Sequence, residues 1–300
     1  MLLALLDCGT FGAKDAMLTP DEATLAHAEK LAGGDQGALM EVLRAMPLDA
    51  FGKLLLGMPD SRWPGLSARL PSMAPEDIQL SWTGAAGEAV MGPAVGFMQL
   101  ADSAAVRLTG RGLAGKSVLD FGCGYGRMLR LLPWFTDRIF GCDPWDASLR
   151  LCEQHRVWGQ LARSDYLPED LPFGEEQFDV VLAFSVFTHT SARALRTALA
   201  AIRRRIAPGG LLVATIRPTA YWRYIVKWGG TADPKTMEAA DQEKGFAFHP
   251  HTRAPVDGDI TYGDTSMTTE YLGSHEGWKI AGQDRIGNDP LQLPIFMRPI

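Results

Sequence analysis

Residues 118–127, with the sequence VLDFGCGYGR, constrain the fold of this chain more than any other stretch. A short apolar run carries an acid near its end, and three glycines at alternate positions follow before an apolar helical pattern begins. This order predicts a strand, a tight turn and a helix. Glycine suits the turn because it adopts positive φ angles and has no Cβ between the backbone and a ligand. Exposed peptide N–H groups at the helix start favour an electron-rich ligand group.

The spacing of these glycines separates two kinds of nucleotide site. The dinucleotide fingerprint is G-x-G-x-x-G, and Arg127 stands here where the third glycine of that pattern would be, which disfavours a nicotinamide or flavin site. A second acid, Asp143, ends the next predicted strand. Residues 81–300 resemble the class I S-adenosylmethionine-dependent methyltransferase family in this pattern. The acid and glycines that carry the resemblance are Asp120, Gly122, Gly124 and Gly126.

The predicted fold class is α/β. Alternating strand and helix patterns after residue 81 predict a Rossmann-like, mostly parallel sheet with helices on both faces. An antiparallel pair near residues 278–285 and 291–297 is expected to finish the sheet. Residues 262–266 are expected to form a turn into a helix capped at Ser266. Ligands of such sheets bind beyond the carboxyl ends of the strands. We therefore expect a methyltransferase domain over residues 81–300.

Residues 1–80 are expected to form an N-terminal helical extension and linker. Thr19 and Asp35 are predicted N-caps of two helices, and four prolines predict an irregular bridge over residues 58–80. The extension carries no recognisable chemistry. A substrate cap, a homodimer surface and added stability are the alternatives for its role.

The composition limits the classes of partner. A net charge of -6 argues against a broad contact surface for nucleic acid. The apolar residues 1–6 are too short for a membrane span and lack the basic flank of a signal peptide, so they are expected to pack on the body or to form an oligomer contact. The four cysteines form no C-x-x-C pair and fit a reducing cytoplasm.

The family resemblance implies a role in binding S-adenosylmethionine for several residues. Asp143 is expected to hold the ribose, and Asp165 with Tyr166 to border the adenine. Trp82 and Gly84 are expected to close over the cofactor. Each assignment has an alternative: Asp143 as a helix cap, Asp165 as a turn residue and Trp82 as a core residue.

The run FDVVLAFSVF at residues 178–187 predicts a buried parallel strand whose carboxyl end faces the cofactor, with Phe184 and Ser185 at that end. Methyltransferases that act on nucleobases or amides commonly carry Asn or Asp followed by Pro-Pro-Tyr at this position. Their absence here favours a hydroxyl acceptor on a small molecule or a saccharide, as in bacterial enzymes of such pathways.

Three histidines are candidates for the base that removes the acceptor proton: His189, His249 and His251. The alternative for His189 is a structural role in its loop. A metal site formed by His249 and His251 with Asp257 and Asp259 is disfavoured, because prolines and glycines leave no helix to hold the ligands.

The sequence therefore predicts a cytoplasmic S-adenosylmethionine-dependent methyltransferase with a small-molecule acceptor and no nucleic-acid or membrane partner. The cofactor carries an activated methyl group, so the protein mainly has to align the reactants and exclude water. The rivals are a protein or nucleic-acid methyltransferase, a module that binds the cofactor without turnover, and a nucleotide-dependent oxidoreductase.

Overall fold

A computed structural model describes residues 17–287 and 289–300, without the side chain of Trp228. The predicted packing of residues 1–6 lies outside this part of the chain. The α-helices are α1 (Glu22–Leu31), α2 (Gln36–Ala45), α3 (Leu48–Leu56), α4 (Pro64–Arg69), α5 (Glu76–Thr83), α6 (Glu88–Thr109), α7 (Arg127–Leu131), α8 (Asp146–Gln154), α9 (Ala192–Arg205), α10 (Tyr221–Ile225), α11 (Pro234–Lys244) and α12 (Thr269–Gly273). The strands are β1 (Val118–Phe121), β2 (Ile139–Asp143), β3 (Gln160–Arg163), β4 (Phe178–Ala183), β5 (Ile206–Ile216), β6 (Phe246–Pro250), β7 (Gly263–Met267), β8 (Trp278–Gln283) and β9 (Leu293–Pro299).

Seven strands form the main sheet in the order β3-β2-β1-β4-β5-β9-β8. The pairs from β3 to β5 are parallel, and β9 is antiparallel to both β5 and β8. The predicted α/β fold with its antiparallel pair is confirmed. The chain order crosses over between β1 and β4, so the carboxyl ends of these strands open a crevice of the kind that holds ligands in doubly wound sheets.

Alternate residues of the central strands bury their side chains on opposite faces of the sheet. Val118, Val180 and Val213 pack with α6, α7 and the N-terminal helices in one continuous core. Leu119 and Val181 pack against α9 and α12 in a second core. The N-terminal helices therefore share a core with the sheet, while the division of the chain at residue 80 stays a prediction.

Helix α6 is long and apolar enough, by length and composition, to cross a membrane, and half of its most apolar window is buried. Met98 and Ala101 of this helix are fully buried in the core between the sheet and α3. A core helix passes the same test of length and composition.

Three local predictions were wrong. The first helix is capped by Asp21 instead of Thr19, because the Asp21 carboxylate accepts the Thr24 N–H at 2.8 Å. The predicted irregular bridge over residues 58–80 contains α4 and the start of α5. Residues 262–266, predicted as a turn into a helix capped at Ser266, lie mostly in β7, which pairs with β6; Thr268 caps the helix that follows.

Candidate active site

The glycine turn between β1 and α7 lies at the carboxyl edge of the sheet. The N–H groups of Gly122 and Cys123 both donate to the Cys142 carbonyl, at 2.8 and 3.0 Å, which fixes the turn to β2. Gly122 has a φ of 72°, and a Cβ there would lie 2.6 Å from a methyl carbon of Val186. At Gly124 (φ 54°) a Cβ would meet no atom within 4 Å, so open space lies in front of this backbone. The turn therefore requires glycine and leaves room for a ligand.

Asp143 links this turn to the end of β2. One carboxylate oxygen accepts the Gly124 N–H and the other accepts the Trp145 N–H, each at 2.9 Å. Burial raises the pKa of Asp143, and both hydrogen bonds oppose that shift. Because each carboxylate oxygen has a second lone pair, the group can still accept hydroxyl donors. The predicted cap role was wrong in detail, since α8 begins at Asp146 and Trp145 is its N-cap residue.

A second buried carboxyl, Asp120, lies beneath the turn and is only 3% exposed. Burial raises its pKa to about 7; the Arg127 charge opposes this shift and the Asp143 charge adds to it. The Arg127 guanidinium lies 5.2 Å from the centre of the Phe184 ring and 5.9 Å from that of Tyr125. Arg127 stands at the position of the third glycine in the dinucleotide fingerprint, and it thus places a cation among the aromatic rings of the site.

Aromatic side chains line the outer side of the turn. Trp145, which is 41% exposed, stacks on Trp82 with a centroid distance of 4.4 Å. Trp82 also contacts the Tyr125 ring at 5.9 Å. The structure thus brings Trp82 to the end of β2, whereas Gly84 forms the left-handed C-cap of α5. Sequence reasoning missed Trp145, although its position two residues after Asp143 was the available signal.

The residues predicted to border an adenine follow β3, which neighbours β2. The Ser164 N–H donates to the Asp143 carbonyl at 3.2 Å. Asp165 is exposed and Tyr166 is half-buried. Both directly follow Ser164 in the chain, and their binding roles stay predictions.

The end of β4 carries a strained residue. Ser185 has a φ of 59°, which is uncommon outside glycine. Its N–H donates to the Thr215 hydroxyl at 2.8 Å, and its own hydroxyl accepts from the Gln292 amide at 3.0 Å. Phe184, directly before it, packs on Phe97 with a centroid distance of 4.6 Å. Gln292 was not predicted, because it approaches from a loop distant in sequence.

His189 lies past β4 with both ring nitrogens engaged. Nδ1 lies 2.8 Å from the Gly263 carbonyl, and Nε2 lies 3.2 Å from the Arg217 guanidinium. A guanidinium only donates, so Nε2 accepts and Nδ1 carries the proton. Burial, aided by the Arg217 charge, lowers the pKa of His189 to about 3. This geometry weakens the case for His189 as a base, because its lone pair is already used.

Asp264 in β7 joins several donors. One carboxylate oxygen accepts hydrogen bonds from the Arg217 guanidinium at 2.7 Å and from the Tyr221 hydroxyl at 2.6 Å. The other oxygen lies 2.8 Å from His251 Nε2. Burial by itself would raise the pKa of Asp264, but the His251 hydrogen bond and the Arg217 charge hold that pKa well below its usual range. Sequence reasoning assigned no role to Asp264 or Arg217, since only tertiary structure brings their segments together.

His249 does not join this cluster. Its Nε2 lies 2.9 Å from the Thr231 hydroxyl. The acid Asp259, considered as a metal partner, accepts the Ser191 hydroxyl at 2.8 Å instead. Within residues 17–287 and 289–300, no group of three or more His, Cys, Asp or Glu side chains is arranged to hold a metal ion.

Known proteins resemble the part of the chain that builds this edge. The sequence model of a family described as "Methyltransferase domain" matches residues 119–214. A ubiquinone biosynthesis O-methyltransferase of Methylobacterium sp. (strain 4-46) is 36% identical over 113 residues, which cover 36% of this chain and 43% of that protein. A tRNA U34 carboxymethyltransferase of Pseudomonas fluorescens (strain SBW25) is 38% identical over 108 residues, which cover 34% of this chain and 32% of that protein.

The chain thus spans less than half the length of these two curated relatives. A solved S-adenosylmethionine-dependent methyltransferase from Clostridium acetobutylicum ATCC 824 aligns with a TM-score of 0.48 and 13% identity, over 68% of this chain and 91% of that one.

The matched residues hold β2 to β4 whole and nearly all of β1 and β5. They include the glycine turn and Asp143, the features that carried the resemblance in the sequence. The family predicted from the sequence is thus confirmed over residues 119–214, which match the methyltransferase-domain family.

Proposed function

We propose that this chain transfers the methyl group of S-adenosylmethionine to a hydroxyl group of a small molecule. The observation that carries the proposal is the fixed pairing of Asp143 with the Gly124 N–H at the edge of the open glycine turn. A ribose offers two hydroxyl donors, and the spare lone pairs of Asp143 suit them. The free space in front of Gly124 suits a ligand that lies against the backbone.

In this proposal, different residues around the turn contact different parts of the cofactor. Asp143 holds the ribose, the peptide N–H groups of the turn hold the carboxylate of the amino-acid end, and Asp120 faces its ammonium group. The Trp145 and Trp82 rings cover the adenine, with Asp165 and Tyr166 at its edge. The cofactor supplies an activated methyl group, so the task of these residues is alignment and exclusion of water.

A hydroxyl acceptor is supported by the residues at the end of β4. Phe184 and Ser185 stand where nucleobase and amide methyltransferases commonly carry Asn or Asp before Pro-Pro-Tyr. The O-methyltransferase named among the relatives points in the same direction. A cytoplasmic location, a homodimer and the lack of nucleic-acid and membrane partners belong to this proposal as well.

The test is a transfer assay with the purified chain. S-adenosylmethionine is incubated with a panel of phenols and monosaccharides, and S-adenosylhomocysteine and methylated product are measured by mass spectrometry. We expect equal amounts of both products from at least one hydroxyl compound. Binding of the cofactor without transfer to any panel member would contradict the proposed acceptor class.

A further inference from the structure

His251 and Asp264 form a hydrogen-bonded pair beside the proposed cofactor site. His251 directly follows β6 and Asp264 lies in β7, the strand paired with it. Nε2 of His251 lies 2.8 Å from one carboxylate oxygen of Asp264. The His251 side chain is 41% exposed and that of Asp264 only 11%. A buried acid thus holds one nitrogen of an accessible imidazole.

The surroundings of Asp264 decide which nitrogen of His251 carries the proton. Arg217 and the Tyr221 hydroxyl both donate to the other carboxylate oxygen. These two donors, one of them a cation, keep the Asp264 carboxylate ionised, and an ionised carboxylate only accepts hydrogen bonds. Nε2 of His251 must therefore donate, and Nδ1 keeps a lone pair that can accept a proton.

The other two predicted bases differ from His251 in this respect. In His189, the acceptor nitrogen Nε2 already accepts a hydrogen bond from the Arg217 guanidinium. His249 lies against Thr231, outside the cluster around Asp264. Of the three histidines, His251 alone combines a hydrogen bond to a buried carboxylate with a side chain that is 41% exposed.

A short chain of ring contacts connects His251 to the proposed cofactor site. The Tyr262 ring meets His251 edge to face at a centroid distance of 5.5 Å. The Arg253 guanidinium lies 4.1 Å from the Tyr262 ring centre and 5.8 Å from that of Trp145. The backbone N–H of Trp145 in turn donates to the Asp143 carboxylate. His251 thus borders the same edge of the sheet as the proposed ribose acid.

We infer that His251 is the general base that removes the proton from the acceptor hydroxyl, and that Asp264 is the positioning residue that orients it. The inference rests on the proposed function. In the reaction, the acceptor O–H bond breaks and its proton moves to Nδ1 of His251. The acceptor oxygen forms a bond to the methyl carbon, while the bond from that carbon to sulfur breaks and its electron pair stays on the sulfur. A methyl ether, S-adenosylhomocysteine and a protonated His251 result.

The experiment compares His251→Ala and Asp264→Asn with the wild-type chain, using the panel compound that the wild-type methylates fastest. We expect His251→Ala to lower kcat by about 100-fold or more, because general base catalysis contributes about 10²- to 10⁴-fold. The KM for S-adenosylmethionine should stay within about twofold, since the variant leaves the cofactor contacts intact. Added imidazole should restore part of the lost kcat, which it would not do after purely structural damage. The control His275→Ala alters a histidine that contacts Tyr271 at the end of α12, and it should keep full activity.

The outcomes separate the two proposals. A His251→Ala variant that keeps kcat within about threefold of the wild type would overturn the base assignment and leave methyl transfer standing. If the wild-type chain binds S-adenosylmethionine and methylates no hydroxyl compound of the panel, the acceptor class fails and the base assignment with it. Asp264→Asn should also lower kcat. Since Asp264 is buried, the folding of the Asp264→Asn variant is checked by circular dichroism. If that variant does not fold, the result for His251→Ala alone decides the question.

Discussion

The guanidinium of Arg130 donates two hydrogen bonds to the carbonyl oxygen of Ser72, from Nε at 3.1 Å and from Nη2 at 2.7 Å. Its Nη1 donates to the carbonyl oxygens of Tyr125 and Gly126 in the glycine turn. Arg130 is fully buried, and burial lowers its pKa to about 10. One buried cation thus ties the segment before α5 to the turn that the proposed function assigns to the cofactor.

Arg130→Met should lower the free energy of unfolding by about 2 to 4 kcal/mol, because it leaves buried carbonyl groups without donors. Urea unfolding measures this loss. Arg156→Met is the matched control, since Arg156 also donates to carbonyls of the N-terminal segment, at Ser67 and Ala68, but from an exposed position. Equal losses in the two variants would refute the special contribution of the buried group.

Asp143→Ala should weaken binding of S-adenosylhomocysteine by about 1.5 to 3 kcal/mol, the usual contribution of hydrogen bonds to a charged group. Calorimetric titration measures the change. Asp146→Ala, which removes an exposed acid from the first turn of α8, should leave the affinity nearly unchanged. Unchanged affinity in Asp143→Ala would remove this acid from the proposed site.

Asp120 predicts a pH dependence of stability without ligand. Its folded pKa of about 7 exceeds the ordinary value of 3.8, so the folded state binds more protons between these two values. The contribution of Asp120 to stability is therefore present below pH 3.8 and is lost as the pH rises to about 7. Asp120→Asn should be more stable than the wild type at pH 8, by about 2 to 4 kcal/mol, with the difference shrinking towards pH 4. Parallel stability curves for the two proteins would contradict the raised pKa.

The buried His189 ring is expected to give stability the opposite pH dependence. Its folded pKa of about 3 lies below the ordinary value of 6.5, so the buried neutral ring favours folding above pH 6.5 and that contribution is lost as the pH falls towards 3. From pH 6.5 to pH 5 the wild-type chain should lose about 2 kcal/mol through this group. His189→Gln should not show this part of the loss, whereas His27→Gln, on the exposed side of α1, should behave like the wild type. Urea unfolding at the two pH values checks the difference.

Patterns local in sequence predicted most of the fold. The glycine turn after β1, the apolar run of β4 and the N-cap Asp35 are each specified by a few neighbouring residues, and each forms as expected. β7 was missed because its sequence GDTSM resembles a loop. Its five residues are buried through tertiary contacts such as the pairing with β6, which no local pattern reveals.

The same distinction applies to the candidate site. Asp143 and the glycines could be found from the sequence because they lie on consecutive elements at a fixed spacing. The cluster of Arg217, His251 and Asp264 draws on three separate segments. His251 could be named as a candidate base from its residue type, whereas Arg217 and Asp264 each resembled an ordinary surface or loop residue. Only the tertiary structure shows that one buried carboxylate joins them.

Calorimetric titration of the purified chain with S-adenosylmethionine, S-adenosylhomocysteine and NAD tests whether the glycine turn and Asp143 bind the methyl donor. We expect binding of the first two, with dissociation constants on the order of micromolar (about -8 kcal/mol), and no binding of NAD. Binding of NAD, or no binding of either form of the methyl donor, would contradict this expectation.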